Sequence, residues 1–376
     1  MNIPRLRYDS PARAGLDPQE TKLLVQEARA LTEGPSPWCA GLVVLAGRGP
    51  VVAVEAAAGW ALRYRGWDEE LGGPVELPRA ERVAVTPATP FDLASLTKLF
   101  TAFTTLQQIE RGTLGLDAPV ADHLPDYPAA AHHGLTVLQL LTHTTGLRPE
   151  LPLYDLPDRA ARIEALRVEE PVAEPGTRIY SDLNMLILQQ LLERVTGRPL
   201  DRLIEEGVTR PLGMTATRFG PAPGAAATED QRRPWAKVDR GPLRGVVHDE
   251  NAWALGGVAG HAGLFSTARD LGVFCRTLLG GGSYGTARVL GADHVALMLD
   301  LGLGFEVDRP WFMGELAGPY AAGHTGFTGT SLVVDRATDT FLVLLATTVH
   351  PRRTTPDSTP RARAATRLRR AVRGAG

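Results

Sequence analysis

Where the strand-like and helix-like segments fall along the chain limits its fold more than any other feature. Near the N-terminus, "AGLVVLAGRG" and "VVAVEAAAG" read as two strands around a Gly/Pro turn. Near the C-terminus, "TSLVVDRATDTFLVLLATT" reads as a hairpin that turns at Ala337, Thr338 and Asp339. Between them, residues 94–111, 136–143, 158–168, 182–196, 200–206 and 267–279 carry helical apolar spacing. Strands at both ends of a helical interior bury their apolar faces most simply in one antiparallel sheet that joins the chain ends, with helices inserted. Residues 218–242, rich in Pro, Gly and Ala, read as a loop, and no internal repeat is visible.

Composition narrows the function classes. With 376 residues, 44% of them hydrophobic, the chain can bury a sizeable core. A formal net charge of −2 argues against nucleic acid or an anionic membrane surface as the main partner. The one basic cluster, "PRARAATRLRRAVRG", places Ala364, Leu368 and Val372 at helical spacing and reads as a surface helix. Cys39 and Cys275 are too few for a disulfide scaffold or a metal cage. The longest apolar run, "FLVLLATTV", is too short to cross a bilayer, and "MNIPRLRYDSPARAGLDP" has no apolar signal region. The expected location is cytoplasmic, or secreted if a leader has been removed.

Lysine is rare here: Lys22, Lys98 and Lys237 are the only ones among 40 basic residues. One of them stands in "FDLASLTKLFTAF", a helical turn after Ser95. Leu96, Leu99, Phe100, Phe103, Leu106 and Ile109 form an apolar stripe, Asp92 is the expected N-cap and Gly112 the stop. Ser95 then lies in the first turn, where free N–H groups favour developing negative charge, and Lys98 shares its face, opposite the stripe. A serine hydroxyl needs a neighbour to take its proton. A desolvated lysine can fill that role, whereas an arginine cannot be deprotonated in a protein.

Two more motifs accompany this one. In "GTRIYSDLNMLILQQLLERVTG", Tyr180 stands at the head of an amphipathic helix, where its phenol beside an ammonium is a second candidate base. In "AAGHTGFTGTSLVVD", His324, Thr325 and Gly326 open a strand: a titratable donor near a carboxylate or leaving group, a hydrogen-bond donor, and a glycine that lets substrate backbone approach. Together, in this order, the three motifs resemble those of the penicillin-recognising serine hydrolases, in the class C β-lactamase-like branch of esterases, D,D-peptidases and transacylases. "TVLQLLTHTTGL" and "VVHDENAWALGGVAGHAGLFSTARDL" extend the likeness, which runs from about residue 10 to the C-terminal helix.

The resemblance implies an α/β (α+β) fold of the β-lactamase/transpeptidase-like type, an antiparallel sheet flanked by helices with an all-helical subdomain inserted. It implies a single domain over 1–376, its sheet subdomain about 1–92 and 245–376 and its helical subdomain about 93–244. It also implies Ser95 as nucleophile, Lys98 and Tyr180 as its activators, and an oxyanion hole formed by the Ser95 and Phe327 N–H groups. Asp182, His324, Thr325 and Gly326 would bind substrate. The implied activity is acyl-enzyme chemistry on a small ester, amide or peptide-like substrate, with water, an amine or an alcohol as acceptor and no cofactor. A β-lactamase or D,D-peptidase is the alternative within the class, and a non-catalytic sensor that acylates once is the alternative outside it.

Two positions depart from the family pattern. Asp182 stands where an amide is usual, and a carboxylate there should keep Lys98 as ammonium. "SDLN" also reads as a Ser-Asp-Asn motif with one extra residue, which would make Ser181 the catalytic partner; the Tyr180 reading is preferred because a helix leaves no room for the insertion. His324 replaces the usual lysine, a change the family tolerates in peptidases and esterases. His248, Asp249, Glu250 and His261 could suggest a metal site, but they lack helical ligand spacing, so hydrogen bonding within a loop is expected instead. His143 is assigned no chemistry, with Gly146 as the stop of its helix. Trp235, Trp253, Trp311 and Tyr320 are candidates for an aromatic substrate wall, with core packing as the competing role.

Overall fold

The computed structural model describes residues 3–354 and 357–373. The N-terminal apolar segments form the strands Gly41–Arg48 and Val51–Leu62, and the C-terminal hairpin is Ser331–Asp335 with Thr340–Ala346. Gly41–Arg48 pairs antiparallel with Thr340–Ala346 through Val44↔Leu344 and its neighbours, so the two ends of the chain meet inside one sheet. Across that sheet the order is Arg7–Tyr8, Val51–Leu62, Gly41–Arg48, Thr340–Ala346, Ser331–Asp335, Ala321–Thr325 and Glu306–Val307. All these pairs are antiparallel except Arg7–Tyr8 beside Val51–Leu62, and Val83–Ala84 adds a further short pairing to Val51–Leu62.

Alternation along the strands supplies two cores. Val43, Leu45, Leu332, Val334, Val343 and Leu345 face one, while Leu42, Val44, Ala46, Val333, Leu342 and Leu344 face the other. The second core is closed by Pro18–Ala30 and the C-terminal helix Thr359–Ala371. The first was not among the expected helices, although Asp17 caps it by accepting from the Gln19 N–H and Pro18 opens it. The basic tail is more than a surface helix: Ala365 and Leu368 are fully buried, and small alanines let it approach the sheet closely. Its solvent side pairs with acids, Arg367 with Glu27 and Glu20, and Arg370 with Glu315.

The larger core surrounds the helix Thr97–Glu110, which is buried from Thr97 to Gln108. This corrects the expectation of a polar face opposite one apolar stripe. Phe100 stacks on Phe274 at 4.5 Å, and two of the helix's threonines donate to carbonyls, Thr101 to Gly260 and Thr105 to Thr101. Lys98 therefore lies in the interior. The supposed loop 218–242 is also corrected. Arg218–Phe219 pairs with Leu264–Ser266, and Ala227–Gln231 pairs with Gly241–Arg244. "ATEDQ" carries no apolar strand signal, yet all five residues are buried. Their polar groups find partners far along the chain: Thr228 O with His350, Glu229 with His248 and Arg353, and Asp230 with the Trp67 N–H. No helix of the described residues is long and apolar enough to cross a membrane.

Candidate active site

Asp92 does not cap the helix directly. It ends the short strand Phe91–Asp92, and its carboxylate accepts from the Ala94 N–H at 2.9 Å and the His248 N–H at 2.7 Å. A 3-10 turn, Ala94–Leu96, precedes the α-helix, and Ala94 takes φ 46°, a left-handed value that costs a non-glycine residue energy. This tight turn delivers Ser95, the one residue between 91 and 100 that is not buried.

Lys98 joins the turn to the second motif. Its Nζ donates to Ser95 Oγ at 2.9 Å and to the His261 carbonyl at 3.3 Å, and pairs with Asp182 at 2.7 Å. It also sits 4.9 Å from the centre of the Tyr180 ring. Burial by itself would lower the lysine's pKa, but the Asp182 carboxylate, followed by Tyr180, outweighs it and raises the value. This direction favours the reading in which Asp182 keeps Lys98 as ammonium over the one in which desolvation frees it of its proton. Tyr180 is raised as well, chiefly by burial, against which the Lys98 charge works to ease ionisation. The resting site thus holds a phenol, an ammonium and a serine hydroxyl.

The neighbours of Tyr180 are committed elsewhere. Ser181 is fully buried as the N-cap of Asp182–Thr196, accepting from the Leu183 N–H at 3.2 Å and donating to the Arg148 carbonyl at 2.6 Å. Asn184, also fully buried, accepts from Thr145 at 2.7 Å and donates to His143 Nδ1 at 3.1 Å. Neither offers a group to the Ser95 hydroxyl. His143 was passed over in sequence, and it, not Gly146, stops the helix Val137–Thr142 by taking φ 57°. Its Nδ1 also accepts from the Ser181 N–H at 3.1 Å, which leaves the proton on Nε2. Its ring lies 4.8 Å from that of Tyr180, which lies 5.8 Å from that of His324. Burial, then Lys98, pushes His143 well below the usual imidazole range.

The third motif closes the site. His324 Nδ1 bonds the Thr325 carbonyl at 2.7 Å, so that nitrogen carries the proton. Burial, then Lys98, pushes His324 down to about 4. At neutral pH it is an uncharged ring with an Nε2 lone pair, which corrects the reading of a donor toward a carboxylate. Gly326 also differs from expectation. A Cβ there would lie 2.1 Å from Thr330 Oγ1 and 2.4 Å from the Leu93 carbonyl, so the glycine packs the strand end onto the turn that carries Ser95. Thr325 ends the strand half-buried. Phe327 follows, 46% exposed, and its N–H has no backbone acceptor among the described residues. Its ring is 5.6 Å from His248 and from the Arg353 guanidinium.

His248, Asp249, Glu250 and His261 do not form one donor cluster. His248 pairs with Glu229 at 2.9 Å, Glu250 with Arg353 at 2.5 Å, and Asp249 with His261 at 2.8 Å. One oxygen each of Asp182 and Asp249 and a His261 nitrogen do come within 4.8 Å of one another. Its members are already paired, Asp182 with the Lys98 ammonium and Asp249 with His261. Sequence reading missed the bond from Lys98 to the His261 carbonyl because the two residues are 163 apart. Among the candidate aromatics, Trp235 covers Arg352 at 4.6 Å, while Trp253, Trp311 and Tyr320 are 45%, 52% and 56% exposed.

Comparison with known proteins agrees with this geometry. The Beta-lactamase family model matches residues 28–366. A protein of Escherichia coli K12 named D-alanyl-D-alanine carboxypeptidase is 34% identical over 74% of this chain and 73% of its own length. One of the same name from Escherichia coli O157:H7 is 31% identical over 95% of this chain and 89% of its own length. Among solved structures, a penicillin-binding protein homologue from Caulobacter crescentus superposes with TM-score 0.68 at 19% identity, covering 93% of this chain and 96% of that one. EstCE1, a hydrolase with promiscuous acyltransferase activity, superposes with TM-score 0.65 at 22% identity, covering 95% and 99%. With the Ser95 turn, the buried Lys98 and Gly326 packed together in this fold, the family match and the relatives lead to one conclusion: the chain belongs to the Beta-lactamase family and is a serine hydrolase of the β-lactamase and penicillin-binding-protein type.

Proposed function

We propose that Ser95 attacks the carbonyl of an ester or amide and carries the acyl group, with Tyr180 and Lys98 managing the proton. The observation that carries this reading is the 2.9 Å contact of Lys98 Nζ with the half-exposed Ser95 hydroxyl, beside Tyr180. With Lys98 charged, the reactive form is the one that has lost a single proton, leaving a phenolate beside the ammonium. The phenolate takes the Ser95 proton as Oγ bonds to the carbonyl carbon. Negative charge gathers on the carbonyl oxygen, facing the N–H groups of Ser95 and Phe327. Tyr180 then returns the proton to the leaving oxygen or nitrogen, and the carbon–leaving-group bond breaks. Water, an amine or an alcohol releases the acyl group by the reverse path. Thr325 offers a donor to bound substrate, His324 Nε2 an acceptor, and Asp182 acts mainly by fixing the charge of Lys98.

D,D-peptidase activity is the second reading, favoured by the names of the relatives. The neutral His324 weighs against strong recognition of a substrate carboxylate at the third motif. Intact-mass measurement after exposure to activated esters, D-alanyl-D-alanine peptides and β-lactams tests both. The proposal expects a one-to-one adduct on the native protein, turnover of at least one ester, and no adduct on Ser95→Ala. An adduct of undiminished yield on Ser95→Ala removes Ser95 as nucleophile, and a permanent adduct with no turnover of any compound favours the sensor.

A further inference from the structure

We infer that Arg361, on the C-terminal helix, is a positioning residue for the oxyanion hole: by holding the Gly326 carbonyl, its guanidinium aims the Phe327 N–H into the cleft and strengthens that N–H as a donor. The inference rests on the acyl-enzyme reading above and adds a residue from the opposite core of the sheet. Arg361 is 6% exposed, and its Nη2 donates to the Gly326 carbonyl at 3.1 Å. Its Nη1 donates to Ser358 Oγ at 3.0 Å, and its guanidinium lies 5.7 Å from the Trp38 ring. No carboxylate among the described residues pairs with it, and its Nε has no partner there. Burial pushes the guanidinium down to about 10, and the charge of nearby Asp357, which does not pair with it, offsets only part of that.

A buried cation without a paired carboxylate is costly, so the direction of its charge matters. Here it is directed at one peptide. The Gly326–Phe327 bond is not among the cis peptides, so the Gly326 C=O and the Phe327 N–H point in opposite directions from one plane. A donor that fixes the carbonyl also fixes the amide. The Gly329 N–H donates to the same oxygen at 3.1 Å and closes the turn, so Arg361 adds a second donor that carries charge. Hydrogen bonds in series polarise one another, and a charged donor at one end makes the N–H at the other end more positive. The flanks of the turn are tied down independently: Thr328 donates to the Asp92 carbonyl at 2.7 Å and Thr330 to the Leu93 carbonyl at 3.0 Å. Loss of Arg361 therefore changes the electrostatics of this peptide and leaves its turn closed.

The test compares native protein, Arg361→Met and Arg361→Lys in single-turnover acylation by one activated ester, with mass analysis locating the acyl group on Ser95. Removing a whole oxyanion donor typically costs a hundredfold or more. Weakening one should slow acylation by Arg361→Met about tenfold, with half-saturating ester concentration unchanged, and Arg361→Lys should recover part of the loss. The ester carbonyl of the acyl-enzyme, read by isotope-edited infrared spectroscopy, should move to higher wavenumber in Arg361→Met, a shift that a general loss of stability does not produce. If Arg361→Met does not fold, Ser358→Ala, which loosens the guanidinium, takes its place with the same two readouts. Labelling of Ser95 with native rate and native carbonyl frequency in these variants overturns the inference and leaves the acyl-enzyme reading standing. Absence of any Ser95 adduct on the native protein overturns both.

Discussion

Two buried histidines feel the Lys98 ammonium, and they are driven in opposite directions. His261, 1% exposed, is raised: burial and Lys98 lower it, but Asp249 at 2.8 Å and the nearby Asp182 outweigh them. His324, 4% exposed, bonds only a carbonyl, and burial beside Lys98 pushes it down to about 4. Burial is nearly the same in both; the partner decides the charge. The site is divided accordingly. Lys98, Asp182, His261 and Asp249 form a charged, mutually neutralising group, while His143, Tyr180 and His324 form a row of uncharged rings. Ser95 lies where the two meet, bonded to the last cation of the first group and beside the phenol of the second.

The strongest way to break this division is at Lys98. Lys98→Arg keeps a cation for Asp182, but its planar head crowds Ser95 and cannot present one nitrogen to Ser95 Oγ, Asp182 and the His261 carbonyl together. We expect it to lose activity nearly as fully as Lys98→Ala, on the order of a thousandfold in acylation of one activated ester. Near-native rates for the arginine variant would show that position 98 supplies charge alone. Next in size is Tyr180→Phe, which removes the hydroxyl from the uncharged row and should slow acylation about a hundredfold, the scale of a lost general base. Ser181→Ala, which removes a helix cap and a bond to the Arg148 carbonyl, should change that rate little while lowering the melting temperature by the few degrees of about 1 kcal/mol. The opposite ranking would move the catalytic partner to Ser181.

Two smaller effects sharpen the contrast between the histidines. His261→Gln removes an imidazole that Asp249 and Asp182 draw toward its charged form, so Lys98 should hold its proton more tightly. The expected result is an acylation rate about tenfold lower at neutral pH, recovered as pH rises, because one pKa unit is a factor of ten in the active form. A rate unchanged at every pH would mean His261 stays neutral. His324→Gln should have the least electrostatic effect. Since His324 is already uncharged above about 4, the ratio of variant to native rates should stay level between about pH 5 and 8. A step in that ratio within the range would show that His324 titrates there.

Much of this arrangement was legible in the sequence, for identifiable reasons. The sheet's central strands are continuous apolar runs, and a hairpin needs only local information, so Gly41–Arg48, Val51–Leu62 and Ser331–Ala346 could be read directly. Ser95, Lys98, Tyr180 and His324 each sit in a short motif whose spacing is fixed by one helix or strand end. What escaped depends on contacts between distant residues. Ala227–Gln231 is a strand because His248, His350 and Arg353 satisfy its polar side, and nothing in "ATEDQ" announces those partners. The charge on Lys98 was half-read, since Asp182 was seen to favour the ammonium while the bond to the distant His261 carbonyl was not. His143 looked like the end of a helix, and it is one, yet the same turn places its ring against Tyr180.

The central claim is that Asp182 keeps Lys98 protonated, so the site must lose a proton before Ser95 can react. The acylation rate with an uncharged activated ester, measured from about pH 6 to 9 in native protein and in Asp182→Asn, tests it most directly. Lys98 and Tyr180 are both raised, so native activity should climb about tenfold per pH unit through this range. In Asp182→Asn, burial acts on Lys98 without its opposing carboxylate, so the rising limb should move at least about one unit toward acid, giving a variant faster than native protein at low pH. A native profile that is flat across the range, or an Asp182→Asn limb that stays in place or moves toward alkali, would contradict the account.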